Sequence, residues 1–182
     1  TDLGAEVIKV EAPIGDLGRL PSVAPYKHLS GLFLTFNRNK KSIVIDLKTE
    51  DGLAVFYDLV KTADIVVDNF RPGVLAKLNV DYDDLRVINP RIIQCSVTGF
   101  GLEGEYKDLP ALDIIIQSIS GLLSITGEKA GPPARVGIPI SDLGGGIFSA
   151  QGLLAALYER EKTGVGRRLE VSMFDAMLSL SS

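Results

Sequence analysis

Tryptophan is absent from the 182-residue sequence, and cysteine and histidine occur once each. The lone Cys95, inside an apolar run, excludes an intramolecular disulfide, and one cysteine with one histidine falls short of the usual zinc ligand set, so no metal is expected. His28 sits in a proline-flanked stretch, and nothing around it supports a Ser-His-Asp triad. Basic residues are not in excess: the formal net charge is −4, which argues against general nucleic-acid binding. No apolar run is long and uninterrupted enough to cross a bilayer, and neither a signal-peptide pattern nor a repeat is visible. These absences lead to the expectation of a soluble, cytoplasmic chain with no metal and no membrane or nucleic-acid partner.

What remains is ordinary globular composition, 46% hydrophobic and 23% charged. A chain of this length can bury roughly 70% of its unfolded surface around one core. It opens at Thr1 without Met, in a pattern that reads as the last turn of a helix closing on Gly4, and it stops in an unfinished helical pattern at Ser182. The expectation is one large domain over residues 1–182, incomplete at both ends.

Strand-like runs recur at residues 7–11, 42–47, 64–68 and 91–98 and again around Leu169, Val171 and Met173. Helical patterns lie between them. Thr49 can cap one over Leu53, Phe56 and Val60, and two short ones follow Pro72, the second capped by Asp81. An apolar pattern runs from Asp113 to about Ile125, and another follows Gly146 with Ile147, Ala150, Leu154, Leu157 and Tyr158 on one side. Residues 15–39 are broken by glycine, Pro21 and Pro25 and read as an irregular loop. Alternating strands and helices of this kind build a parallel, Rossmann-like α/β sheet with helices on both faces, and ligands gather at the carboxyl ends of its strands. Those ends are Glu11, the turn after Leu47, residues 69–73 and residues 99–104.

The stretch Ile138-Pro139-Ile140-Ser141-Asp142-Leu143-Gly144-Gly145-Gly146 sets a carboxylate just ahead of three glycines at a helix start, where backbone N–H groups are unpaired and the potential is positive. Two readings stand for Asp142. It is a helix N-cap, with the glycines permitting close packing, or it is an anionic nucleophile whose intermediates are steadied by N–H groups near Gly144 and Gly145. Asp113 is likewise either a cap or a second acid whose charge separates the two carboxyl pKa values. Asn37-Arg38-Asn39-Lys40-Lys41-Ser42 is a solvated turn or a phosphate contact. Asn69-Phe70-Arg71-Pro72-Gly73 offers an aromatic face, a guanidinium and a rigid turn, the parts of an adenine or phosphate pocket. Gly99-Phe100-Gly101-Leu102-Glu103-Gly104 matches the dinucleotide pattern after a strand, but a charged loop follows where that motif needs a helix start.

Taken in order, Leu3-Gly4-Ala5-Glu6-Val7-Ile8-Lys9-Val10-Glu11, Asn37-Arg38-Asn39-Lys40-Lys41-Ser42-Ile43, Asn69-Phe70-Arg71-Pro72-Gly73, Asn89-Pro90-Arg91, the Asp113 helix, Asp142 and Lys162-Thr163-Gly164-Val165-Gly166 resemble the family III CoA-transferases. That group contains formyl-CoA transferase, carnitine CoA-transferase and α-methylacyl-CoA racemase. Each motif is short, and their order along nearly the whole chain is what makes the match specific. The resemblance implies the larger, CoA-binding domain of such an enzyme, with a smaller second domain outside this sequence and an interlocked homodimer. It implies that coenzyme A, carried as acyl-CoA, is held by Asn69, Phe70 and Arg71 with Arg38, Lys40, Lys41 and Lys77. Catalysis is implied for Asp142, with Asp113, Gly144 and Gly145 beside it: CoA moves from an acyl-CoA donor to a carboxylic acid through a covalent aspartyl intermediate.

Two positions depart from the family pattern. Ala12 stands where formyl-CoA transferases carry a basic residue, so another cation must serve the nucleotide end. Leu112 stands where the racemases carry their proton-transferring histidine, and leucine cannot exchange a proton, which favours transferase over racemase chemistry. Two alternatives remain: an acyl-CoA racemase of the same family that uses an unrecognised base, and a non-catalytic CoA-binding module with Asp142 only a cap.

Overall fold

The computed structural model describes residues 1–2, 4–20 and 29–181; Leu3, Pro21, Pro25 and His28 lie outside the described residues. The chain divides into two compact units, Thr1–Leu59 and Val60–Ser182.

In the first unit, β1 (Ile8–Glu11) and β2 (Lys41–Val44) pair in parallel with Val10 opposite Ile43. The segment expected to be irregular holds two short helices. Asp16 caps a 3-10 turn at Leu17–Arg19, and Ser30 opens α1 (Gly31–Asn37) by accepting from Phe33 N at 2.9 Å. Thr49 starts α2 (Glu50–Val60) as expected, its Oγ1 accepting from Gly52 N at 3.1 Å.

Glu11 ends β1 with a buried carboxylate. Arg19 donates to it through Nε and Nη2 at 2.7 and 2.6 Å, and Ser42 Oγ donates at 2.7 Å. The Arg19 hydrogen bonds outweigh the opposing effect of burial and hold the carboxyl at about 2, below its ordinary 4.5. A depressed carboxyl pKa gives stability that is complete above 4.5 and lost as pH falls towards about 2. Glu11→Gln is therefore expected to flatten the pH dependence of the urea midpoint across that acid window and to leave its neutral limb parallel to wild type. An unchanged acid slope would contradict the assignment.

The second unit is built on β3 (Ile65–Asp68), β4 (Ile93–Thr98) and β5 (Arg168–Ser172), all parallel with β4 in the centre. Between them lie α3 (Val74–Lys77), α4 (Tyr82–Ile88), α5 (Asp113–Ile119), α6 (Leu122–Ile125) and α7 (Ile140–Thr163), and α8 (Met173–Ser181) follows β5. β4 is buried everywhere except at the half-buried Val97, as a two-sided parallel strand requires. Gln94 on one face donates through Nε2 to Val80 O at 3.1 Å, just ahead of α4, while Cys95 on the other meets Ser149 of α7. Helices thus cover both faces. Asp81 caps α4 as expected, in a capping box with Asp84. The single helix expected from Asp113 to Ile125 is two, because Gly121 at φ +81° breaks it.

The largest departure from the sequence expectation concerns α7. It starts at Ile140, so Asp142 and the three glycines lie within its first turns and not ahead of them. A glycine in a helix interior costs about 1 kcal/mol relative to alanine. Close packing offsets that cost here: a Cβ on Gly144 would stand 2.4 Å from Met177 Cε, and one on Gly145 would stand 3.2 Å from both Met173 Cγ and Val97 Cγ1. Their absence lets α7 lie directly on α8 and β4. The buried face of α7 is accordingly the small one, including Ser141, Gly144, Gly145, Ser149 and Ala156. The large apolar stripe is turned outward, with Ile147, Leu154 and Tyr158 57%, 60% and 65% exposed. Although every apolar run within it is interrupted, α7, a 24-residue helix that contains an 18-residue stretch of mean hydropathy 1.2, is the one helix among the described residues long and apolar enough to cross a membrane. Below its first turns lies a core cluster of Ile116, Met173, Ala176 and Met177.

Candidate active site

The N-termini of α5 and α7 are tied together by one carboxylate. Asp113 is the first residue of α5, yet its side chain makes no cap there. Its Oδ1 instead accepts from Ser141 N at 2.9 Å and Ser141 Oγ at 2.6 Å, and its Oδ2 accepts from Gln117 Nε2 at 2.6 Å. The cap position of α7 is Pro139, which supplies no side-chain acceptor. Asp113 therefore supplies from another helix the negative group that an N-terminus favours.

This leaves Asp142 free. It is the third residue of α7, it does not cap the helix, and its carboxylate accepts no hydrogen bond among the described residues. The side chain reaches the surface, but dense protein on its inner side strips part of its hydration, and the negative charge of Asp113 adds repulsion. Desolvation first, and Asp113 second, push its pKa above the ordinary 3.8.

Gly144 and Gly145 lie deeper. Leu143 N–H already donates to Pro139 O at 3.0 Å, so the N–H groups beyond it belong to the intrahelical ladder. In this structure both residues are buried packing positions.

At the end of β3, the buried Asp68 accepts from Ser96 Oγ at 2.7 Å and Phe70 N at 3.2 Å, and burial raises its pKa. These bonds shape the turn that follows. Asn69 Nδ2 donates to Val97 O at 2.5 Å, Phe70 is 46% exposed, Arg71 and Lys77 are exposed, and Gly73 turns the chain at φ +78°. Val97 also packs at Gly145, so the Asn69 turn and the first turns of α7 converge on one residue near the carboxyl end of β4. Asp142 stands one turn before Gly145, about 4.5 Å along the helix axis.

The basic residues of the first unit are differently engaged. Arg38 pairs with Asp2 and Lys41 with Glu6, while Lys40 donates to Asn37 Oδ1 at 3.3 Å. Lys40, Lys9 and Arg19 line a hollow of about 90 Å³ closed by Phe33, whose ring centroid is 4.2 Å from the Arg19 guanidinium. Burial first, and the charge of Lys9 second, lower the pKa of Lys40. A second hollow, of about 370 Å³, lies between α4 and Val165; Asp142 lines neither. After Gly104 the chain passes through turns, and the next helix begins at Asp113.

The sequence pattern did not single out Ser141 or Gln117 as members of the site. A signal was present for the second, since a glutamine four residues after an aspartate shares its helix face. The Ser141 bonds cross 28 positions of sequence and carry no local signature.

The profile of CoA-transferase family III matches residues 1–182. Acetyl-CoA:oxalate CoA-transferase of Acetobacter aceti is 47% identical, over 98% of this chain and 46% of its own length. Succinate–glutarate CoA-transferase of Agrobacterium fabrum is 42% identical, over 96% of this chain and 45% of its own. The crystal structure of a CAIB/BAIF family protein from Brucella suis superposes with a TM-score of 0.95 at 37% identity, covering 100% of this chain and 49% of that one. The chain thus spans less than half the length of these relatives. On the match along its full length and on its fold, it belongs to CoA-transferase family III.

Proposed function

We propose that the whole protein is a CoA-transferase that moves CoA from an acyl-CoA donor to a carboxylic acid through covalent intermediates on Asp142. The observation that carries this reading is an exposed helix-start carboxylate with no hydrogen-bond partner among the described residues, beside a second carboxylate whose oxygens are both engaged. The family supports the choice of reaction, since named relatives act on acetyl-CoA and oxalate or on succinate and glutarate.

An Asp142 oxygen attacks the thioester carbonyl, the C–S bond breaks, and CoA leaves as the thiolate, giving a mixed anhydride. The thiolate attacks the aspartyl carbonyl and expels the donor acid, leaving an aspartyl-CoA thioester. The acceptor carboxylate attacks that thioester and releases the thiolate again. Attack of the thiolate on the acceptor's acyl carbon yields the new acyl-CoA and restores Asp142. A raised pKa suits this role, because a more basic carboxylate is the better nucleophile once ionised. With the Gly144 and Gly145 N–H groups bonded inside the helix, stabilisation of developing negative charge falls to the positive end of α7 as a whole.

Acyl-CoA is held, in this reading, by the Phe70 face with Asn69, Arg71 and Lys77; in the first unit the family resemblance makes Lys40, Arg38 and Lys41 candidate phosphate contacts, the last two by exchanging Asp2 and Glu6 for phosphate. The protein acts in the cytoplasm as a homodimer, for which the outward Ile147, Leu154 and Tyr158 stripe supplies apolar surface. The test is thioester exchange: the whole protein, acetyl- or succinyl-CoA, and a panel of dicarboxylic acids including oxalate and glutarate. A new acyl-CoA is expected to form in step with loss of the donor. Release of free CoA alone, or no consumption of any donor, would contradict the reading.

A further inference from the structure

We infer that Gln117 is a positioning residue for Asp142, acting through Asp113 and Ser141. The inference rests on the nucleophile reading above and extends it to a side chain that cannot touch substrate, since Gln117 is fully buried. Both ends of its amide are used. Oε1 accepts from Val136 N at 2.9 Å, and because a backbone N–H can only donate, the amide is oriented with Nε2 towards Asp113 Oδ2, 2.6 Å away. Gln117 thereby fixes the plane of the Asp113 carboxylate from below.

Asp113 in turn holds Ser141, itself fully buried, through both its N–H and its hydroxyl. The Asp142 side chain has no tether among the described residues, so its direction is set by the first turn of α7, and that turn is pinned at the residue immediately before it. A nucleophile displaced by about 1 Å loses on the order of a hundredfold in rate. Three elements meet in this relay: α5, the connector at Val136, and α7. A chain acting on direction and not on contact changes turnover and spares substrate binding.

The experiment uses the whole protein and a two-by-two cycle of Gln117→Met and Asp113→Ala. Gln117→Met, which keeps length and removes the amide, is expected to lower kcat about tenfold with KM for acyl-CoA changed less than about twofold. In the Asp113→Ala background the same substitution is expected to change kcat less than about twofold, because the residue it acts through is gone. A raised KM with unchanged kcat, or a full tenfold loss persisting without Asp113, overturns the inference. If circular dichroism shows Gln117→Met unfolded, Ser141→Ala takes its place in the cycle with the same pair of outcomes. Hydroxylamine trapping in parallel separates the two levels. An acyl-CoA-dependent hydroxamate on Asp142 that forms as fast in the variants as in wild type overturns the positioning role alone; none on wild-type Asp142 overturns the nucleophile and the relay together.

Discussion

Replacing Asp142 by alanine in the whole protein is expected to lower CoA transfer by about a thousandfold or more while leaving acyl-CoA affinity within about threefold. Alanine removes the only atoms proposed to bond with substrate and none of those proposed to bind CoA. Asp142→Asn should fail equally, since a neutral amide cannot displace the thiolate. The same variants separate a nucleophile from a cap on stability alone. Loss of a capping aspartate costs about 0.5–2 kcal/mol. Asp142 makes no capping bond, and its raised pKa means that its ionised form is disfavoured in the folded state, so its contribution to stability declines as pH rises through that pKa. At neutral pH, Asp142→Asn should therefore melt no lower than wild type. A clear fall in Tm with retained transfer would restore the cap.

Ile116→Ala is expected to produce the largest loss of stability. Ile116 is fully buried on α5 between Asp113 and Gln117 in sequence, and it packs with Met173, Ala176 and Met177 beneath the first turns of α7. Gly144 and Gly145 on those turns have no side chain to fill the space left behind, which only the bordering Ile140 and Phe148 of α7 could enter in part. The cavity should cost about 2–5 kcal/mol, which for a chain of this size is roughly 10 °C in Tm. Thermal unfolding followed by circular dichroism measures it. A Tm within a degree or so of wild type would mean that the site is not founded on this cluster.

Much of this could be read from residues alone, and the failures have identifiable causes. The five strands, the Thr49 and Asp81 caps and the parallel α/β class follow from apolar runs and short-range capping chemistry, which are local. α1 does not stand out in the sequence because glycine, Pro21 and Pro25 interrupt residues 15–39, although Ser30 ahead of Leu32, Phe33 and Phe36 is a capping signal. The start of α7 was placed too late for the opposite reason. Three consecutive glycines argue against a helix by propensity, and only contact with Met177, Met173 and Val97 reverses that. The same contact decides which side is buried: periodicity puts Ile147, Leu154 and Tyr158 together on one side of the helix, and close approach buries the small residues instead. The sequence suggested that Asp142 and Asp113 are each either a cap or an acid. The structure divides those roles, because Asp113 reaches across to Ser141 and serves as the cap that Asp142 is not. No spacing rule reports a bond between helices.

Covalent transfer through Asp142 requires that its carboxyl become activated by acyl-CoA. Whole protein incubated with acyl-CoA and then hydroxylamine, digested and analysed by peptide mass spectrometry, gives the answer. The prediction is an acyl-CoA-dependent hydroxamate on the peptide carrying Asp142 and none on that carrying Asp113. Hydroxamate on Asp113, or an unmodified Asp142 in protein that still exchanges thioesters, would contradict it.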